Sequence, residues 1–274
     1  MLPLWRKNVR IVLCPDRVIV MQLQGGPHAR IVSKQVIPHA GTETGWQPVL
    51  AILESLLKNG EWKKSDVTVI LSNHFMRFLV LPWNEVSLTE VEQMALVQHH
   101  FAAVYGESSE DWECRLSEGT VGTPSMAGAV PQELIRRIKA IFKTSPLRLK
   151  YVQPYLMTVY NACRRELGNE DAWFVLAEQD TFCVGLLQNG NWTSIRLRRI
   201  RADWFEEVLL VLQREALLAT GGEQLNKVFI YAPQISNPAP IKRGAWFIQP
   251  LKLNLLSEIS QADIGSYAMA AVRM

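Results

Sequence analysis

The chain has 274 residues, a formal net charge of +3 and an apolar share of 48%, which is typical of a folded protein with one large core or two moderate ones. The weak charge argues against a nucleic-acid-binding protein, for which a basic stripe and a higher isoelectric point are expected. No stretch of about 20 apolar residues predicts a transmembrane helix, and four cysteines without Cys-x-x-Cys spacing favour a reduced cytosolic compartment over a zinc or redox site.

The first 74 residues predict three strands, a helix and a fourth strand. β-Branched runs bounded by turn residues predict the strands, which are expected at 9–13, 18–23, 29–37 and 66–71. Apolar residues at helical spacing between Trp46 and Leu57 predict the helix. Asn59 and Gly60 are expected to end it, with the glycine in the left-handed conformation.

The same order of elements returns in the second half of the chain. Strands are expected at 173–177, 182–187, 192–197 and 227–231, with a hairpin turn at 188–190 and a helix from 204 to 218. Asp16 and the ten residues after it align with Asp180 and the ten after it, at a constant offset (180 − 16 = 164). Two unrelated β-hairpins can also look alike, but here the element order agrees too, so the chain is interpreted as an internal duplication.

The segment between the halves, residues 75–150, has the order β-α-β-β-α-β. Thr89 and Glu92 have the spacing of a capping box at the start of its first helix. Apolar residues of its second helix form one stripe: Leu134, Ile135, Ile138, Ile141 and Phe142. We therefore predict three parts, which are a first half at 1–74 and 151–170, an inserted α+β subdomain at 75–150, and a second half at 171–274.

A repeated unit of three strands, a helix and a strand resembles the plan of the actin-like, ribonuclease H-like fold. The α+β insert in the first half resembles that of PilM-type proteins of bacterial type IV pili and of the cytoplasmic domain of GspL-type proteins of type II secretion. Three segments carry the resemblance, at 129–142, 149–155 and 266–273. It implies an α/β, actin-like duplicated fold with an α+β insertion in the first half.

Proteins of this fold that bind ATP cradle its phosphates with two glycine-containing β-hairpin turns, each next to an aspartate that holds magnesium. Both turns lack glycine here, since they are Cys14-Pro15-Asp16 and residues 177–180. Pro15 also has no N–H to donate. The glycine pair expected to contact adenosine is replaced by residues 232–234. We therefore expect no nucleotide or other cofactor, no metal and no catalysis.

Other charged residues could suggest chemistry, but each has a structural explanation. Glu178 and Asp180 could form a catalytic pair, although acidic residues are common in tight turns. His99 and His100 are neighbours on a predicted helix and point about 100° apart, which disfavours a shared metal ion. Four arginines could protect an edge strand by charge or contact an acidic partner or lipid headgroups; they are Arg196, Arg198, Arg199 and Arg201.

The resemblance implies a non-catalytic cytoplasmic scaffold in the inner-membrane assembly platform of a type IV pilus or type II secretion machine. Its expected partner is a single-span inner-membrane protein with a PilN-like cytoplasmic tail, and an assembly ATPase is a second one. No nucleic acid is expected to bind, and the membrane would be reached only peripherally, through the partner. The alternative is an active actin-like ATPase or small-molecule kinase that uses Glu178 or Asp180.

The resemblance also implies where the partner would bind. The tail is expected near Leu81, Trp83 and Tyr151, where the chain enters and leaves the insert. Packing of the two hinges is the alternative explanation for these residues. At the N-terminus, Leu2-Pro-Leu-Trp5 precedes three cations, Arg6, Lys7 and Arg10. This segment could either dip into the membrane interface, with the cations on anionic lipid, or cover a sheet edge.

Overall fold

The computed structural model describes residues 8–24, 29–39, 45–60, 62, 64–86, 88–201, 203–219, 225–233 and 240–273. The chain divides into two compact units. Unit 1 comprises Met1–Phe75, Gln132–Ala162 and Leu253–Met274, and unit 2 comprises Met76–Pro131 and Cys163–Lys252. Within the described ranges, no helix is long and apolar enough to cross a membrane. The three-part division at 1–74 with 151–170, 75–150 and 171–274 stays a prediction.

The strands are, in chain order, β1 (Asn8–Leu13), β2 (Arg17–Gln24), β3 (Arg30–Pro38), β4 (Asp66–Leu71), β5 (Arg77–Leu81), β6 (Trp112–Ser117), β7 (Ser125–Pro131), β8 (Arg148–Pro154), β9 (Ala172–Ala177), β10 (Thr181–Gln188), β11 (Asn191–Arg199), β12 (Lys227–Tyr231), β13 (Ile241–Arg243) and β14 (Trp246–Pro250). The helices are α1 (Gln47–Asn59), α2 (Glu90–Tyr105), α3 (Gln132–Lys143), α4 (Tyr155–Leu167), α5 (Trp204–Leu218) and α6 (Ile264–Ala271). The strands and helices predicted from sequence are all present, with ends that differ by a few residues.

Unit 1 is built on a five-stranded sheet with the order β3-β2-β1-β4-β8. β1 is central, antiparallel to β2 and parallel to β4, and every residue after Asn8 in it is buried. α1 packs near β2 and buries Val49, Leu50, Leu53 and Leu57. β8 pairs in parallel with β4 at the sheet edge, although the sequence analysis grouped its first residues with the insert.

Unit 2 contains a six-stranded sheet with the order β11-β10-β9-β12-β14-β13. β9 is central and fully buried, and α5 covers the sheet with Val208, Leu209 and Leu212. β14 extends the sheet in parallel next to β12, and β13 returns antiparallel to β14. The sequence analysis did not predict β13 or β14.

The sheets of the two units repeat one another down to an irregularity of pairing. The pair β2–β3 shifts register between Gln22 and Leu23, and the pair β10–β11 shifts register between Leu186 and Leu187, at the same offset (186 − 22 = 164). A bulge is a specific local feature that unrelated hairpins have no physical reason to share at aligned positions. The predicted internal duplication is confirmed.

Unit 2 also holds the inserted three-stranded sheet, with the order β5-β7-β6. α2 packs on it around Val97 and Phe101, and the capping box predicted at Thr89 and Glu92 is present at the start of α2. On its other edge, β5 lies alongside β11. The insert sheet therefore lies next to the edge strand β11 of the larger sheet of unit 2.

The end of α1 differs from the prediction. Gly60 has φ −89° and ψ 145°, so it is extended and not left-handed. The Gly60 amide and the indole N–H of Trp62 both donate to the carbonyl oxygen of Leu56, at 3.0 Å and 3.1 Å. Because the tryptophan side chain satisfies this terminal carbonyl, the helix does not need a left-handed cap.

Candidate functional site

The first turn that would cradle phosphate is closed on itself. The Cys14 amide donates to the carbonyl oxygen of Arg17 at 3.0 Å, and none of residues 14–17 has a positive φ. The Arg17 guanidinium lies 2.7 Å from a carboxylate oxygen of Asp16. With Pro15 lacking an N–H, two of the amides that a phosphate would need are not available. Asp16, the equivalent of a magnesium ligand, is neutralised by its neighbour.

The second turn is closed in the same way. The Glu178 amide donates to the carbonyl oxygen of Thr181 at 2.7 Å, 164 residues after the equivalent bond from Cys14 (178 − 14 = 164). The Asp180 carbonyl accepts from the Ile200 amide at 2.8 Å. Glu178 is buried, with 8% of its surface exposed. Burial, and to a lesser degree the charge of Glu178, raises the pKa of the Cys183 thiol, which therefore stays protonated and unsuited to nucleophilic attack.

The structure accounts for some of the other histidine and arginine residues that the sequence analysis named. His99 and His100 lie on α2 with ring centroids 6.2 Å apart, and within the described residues no three potential ligands come together to hold a metal ion. Nε of Arg196 lies 3.0 Å from a carboxylate oxygen of Glu215, a buried residue on α5. Arg198 and Arg199 are exposed at the end of β11.

The sequence analysis missed Glu215, which is buried at a position of the helix that normally carries an apolar residue. The signal was present in the spacing, since Val208, Leu212 and Glu215 follow one face of α5 at helical intervals. Ser194 donates a second hydrogen bond of 3.3 Å to the same carboxylate. Arg196 therefore has a structural role, which accounts for one of the four arginines.

A groove opens on the inserted sheet of unit 2, between the end of β5, the start of α2 and the connection from β6 to β7. We call it the insert groove. It has a volume of about 390 Å³, and its floor is formed by Leu81, Val97 and Leu116, residues that belong to or pack on the core of the insert. At its rim, Trp83 is 44% exposed and Val121 is 87% exposed.

Two of the three residues predicted to bind a partner line this groove. Leu81 is buried in its floor and Trp83 stands at its rim. Tyr151 belongs to unit 1, where it lies opposite Thr68 on the edge strand β8 and is 64% exposed. The N-terminal segment from Leu2 to Lys7 lies outside the described residues. Arg10, the third cation of the possible membrane contact, is buried on β1 with 8% of its surface exposed, so its predicted contact with lipid is wrong.

Local hydrogen bonds hold the rim of the groove in place. The Val86 amide donates to the side chain of Asn84 at 3.0 Å, and the Gly119 amide donates to the Ser125 hydroxyl at 3.3 Å. The Thr89 amide donates to the Glu92 carboxylate at 2.8 Å, which fixes the first turn of α2. The apolar rim residues are therefore presented by a defined backbone.

No protein-family profile matches this sequence, and no curated protein matches it. Its fold is shared with solved structures. The cytoplasmic domain of EpsL, an inner membrane component of the type II secretion system of Vibrio cholerae, is similar over 90% of this chain and 90% of its own, with a TM-score of 0.55 and 14% identity.

Two further structures share the fold. The PilM–PilN type IV pilus biogenesis complex is similar over 82% of this chain and 80% of its own, with a TM-score of 0.56 and 12% identity. A Bacteroides thetaiotaomicron protein with an actin-like ATPase fold is similar over 83% of this chain and 82% of its own, with a TM-score of 0.56 and 10% identity. The predicted actin-like α/β fold is confirmed.

Proposed function

We propose that the chain is a non-catalytic scaffold in the inner-membrane assembly platform of a type IV pilus or type II secretion machine. In this role it lies in the cytoplasm, peripheral to the inner membrane, and binds the cytoplasmic tail of a single-span membrane partner similar to PilN. An assembly ATPase is a second proposed partner. The likeness in fold to EpsL and to PilM supports the choice of machine.

The proposal that the chain is not an enzyme is supported by the closed conformation of both turns that would bind phosphate. Each turn uses one of its amides in an internal hydrogen bond, from Cys14 or from Glu178, and neither contains the glycine that allows a phosphate to approach the backbone. Asp16 is ion-paired to Arg17. Because the two copies of the turn have changed in the same way, the change fits loss of nucleotide binding better than isolated drift.

The proposed contacts for the partner's tail are Leu81, Trp83 and Tyr151. Trp83 and Tyr151 are large side chains that remain 44% and 64% exposed. Aromatic residues of this kind dominate the binding energy of many protein interfaces. Leu81 contributes to the floor of the insert groove below Trp83.

A thermal melt with nucleotide tests the non-catalytic role. A ligand at about 100 times its dissociation constant stabilises the folded state by about 2.7 kcal/mol, so millimolar ATP at a functional site would raise the melting temperature. We expect no shift with ATP and magnesium. A shift of several degrees that needs magnesium and is abolished by Asp180→Asn would instead support the ATPase or kinase alternative.

A capture experiment tests the contact residues. Trp83→Ala and Tyr151→Ala should each weaken capture by the purified cytoplasmic tail of a PilN-like single-span membrane protein, while the melting temperature changes little. Val104→Ala is the matched control, because Val104 is 60% exposed on α2 and outside the lining of the insert groove. Equal capture by all three variants and the wild type would exclude the assigned residues.

A further inference from the structure

We infer that the insert groove binds an extended segment that combines large apolar side chains with neighbouring lysine or arginine residues. The inference rests on the proposed function in one respect, which is that it takes this segment to be part of the membrane partner's tail. The chemistry of the groove itself is a property of unit 2.

The apolar part of the segment follows from the exposed hydrophobic residues. Val86 and Val121 are 65% and 87% exposed, and they stand with Trp83 around a floor of Leu81 and Leu116. Contiguous exposed apolar residues next to a concave floor mark interaction sites more often than ordinary surface. A volume of about 390 Å³ lies within the range of binding pockets and is enough for a few apolar side chains.

The positive part follows from the charges at the rim. Among the described residues that line the groove, the charged ones are Glu85 and Glu118, both carboxylates. Glu85 precedes α2, and Glu118 lies in the connection from β6 to β7, so the two carboxylates belong to different walls of the groove. Neither forms an ion pair within the described part of the chain, whereas the nearby Glu113 is paired with Arg115 at 2.9 Å.

Two unpaired carboxylates around an apolar floor favour a cationic apolar ligand over a neutral or acidic one, because like charges across an interface are unfavourable. Cytoplasmic segments next to a membrane span carry an excess of lysine and arginine. A tail that leaves the membrane on the cytoplasmic side therefore supplies the positive charge that the two rim carboxylates favour. We therefore assign one occupant to the insert groove, a cationic apolar peptide of a membrane partner.

Three short fluorescent peptides of equal length test the inference on the full chain by anisotropy. The first alternates leucine with flanking lysines, the second replaces lysine by glutamate, and the third replaces leucine by serine. We expect binding of the first, about tenfold weaker binding of the second, and no measurable binding of the third. The preference for lysine should fall as salt is raised, because exposed charges are screened.

Variants assign the effect to the groove. The double variant Glu85→Lys with Glu118→Lys should reverse the preference between the lysine and glutamate peptides, and Trp83→Ala should weaken both. Glu107→Lys is the matched control, because Glu107 is an exposed carboxylate beyond the other end of α2. The inference would be overturned if the wild type bound the lysine and glutamate peptides with equal affinity. It would also be overturned if Glu107→Lys changed the peptide preference as much as the double variant does.

Two further outcomes separate this inference from the proposed function. If the natural tail binds and the double charge reversal does not weaken it, the cationic preference is wrong and the scaffold role stands. If the lysine peptide binds as expected and no membrane partner recruits the chain, the groove chemistry stands and the proposed function fails. If light scattering shows a dimer of the wild type and a monomer of Trp83→Ala, the insert groove is occupied by a second copy of the chain. That result would overturn the inference.

Discussion

The guanidinium of Arg10 donates a hydrogen bond of 2.8 Å to the carbonyl oxygen of Ala270 and a second one to the carbonyl of Val272. Arg10 lies on the central strand β1 with 8% of its surface exposed. The last carbonyls of a helix have no partner within the helix, and its C-terminus favours a positive charge. Burial lowers the pKa of Arg10 to about 10, so it remains charged at neutral pH and caps α6.

Arg10→Met should lower the free energy of unfolding by about 2–4 kcal/mol, because it removes charged hydrogen bonds and leaves buried carbonyls without a donor. Arg10→Lys should recover part of this loss, since an ammonium cannot reproduce the forked geometry of the guanidinium. Urea denaturation measures both. Arg30→Met is the control, because Arg30 is exposed on β3; equal losses for Arg10→Met and Arg30→Met would show that Arg10 does not act as a cap.

Removal of one partner of the Glu215–Arg196 pair should cost more than removal of both. Arg196→Leu leaves the buried carboxylate of Glu215 without its cation, for which we expect a loss of about 2–4 kcal/mol. The double variant Arg196→Leu with Glu215→Leu should lose less than the single variant, because no buried charge remains. A double-mutant cycle of the two leucine substitutions measures the coupling energy between Arg196 and Glu215. Arg214→Ala is the control for loss of an exposed arginine. Additive effects of the two single substitutions would contradict the predicted coupling.

The capping box of α2 should make part of the stability of unit 2 depend on pH. Hydrogen bonds from the Thr89 amide and hydroxyl lower the pKa of Glu92, so the folded state binds that proton less readily than the unfolded chain. The stabilisation is therefore present above the unfolded pKa of about 4.3 and is lost as the pH falls through the lower folded pKa. Thr89→Ala should lower the melting temperature by a few degrees at pH 7, about the effect of one lost cap.

As the pH falls through the lowered folded pKa of Glu92, the difference in melting temperature between Thr89→Ala and the wild type should narrow, since both then lose the ionised carboxylate. A difference that stays the same across the acid titration would mean that Glu92 does not take part in the cap. Thr120→Ala serves as the control, because Thr120 lies in the connection from β6 to β7 and caps no helix.

The cysteines should be inert in the native protein. Cys14, Cys114, Cys163 and Cys183 are all buried thiols. Burial raises the pKa of Cys163 to about 12, with Glu166 as a smaller cause, and thiolate is the reactive form. A thiol reagent at pH 8 should therefore label the folded chain slowly and the denatured chain at all four positions. Rapid labelling of Cys183 in the folded protein would contradict the protonated state of this thiol.

The sequence correctly predicted the elements that depend on the spacing of residues within one short segment. The stripe of α3 from Leu134 to Phe142 is buried as predicted, and the hairpin turn at Asn189 and Gly190 has positive φ at both residues. These features depend on spacing and on backbone sterics, which the sequence contains directly.

What the sequence did not indicate depends on contacts between distant residues. The pairing of β8 with β4 joins segments about 80 residues apart, and β14 is a short strand whose partner decides its conformation. The insert groove was indicated only through Leu81 and Trp83, because Glu118 and Val121 reach it through the folding of a hairpin. The predicted left-handed conformation of Gly60 was wrong because Trp62, from outside the helix, donates a hydrogen bond to the terminal carbonyl of Leu56.

The most direct test of the scaffold role is recruitment to a membrane that contains the proposed partner. A single-span inner-membrane protein with a PilN-like cytoplasmic tail is placed in lipid nanodiscs, and binding of the chain is measured with and without ATP and magnesium. We expect binding that needs the partner's cytoplasmic tail and is the same with and without nucleotide. Binding that requires ATP and magnesium, or no binding to nanodiscs that carry the tail, would contradict a non-catalytic scaffold.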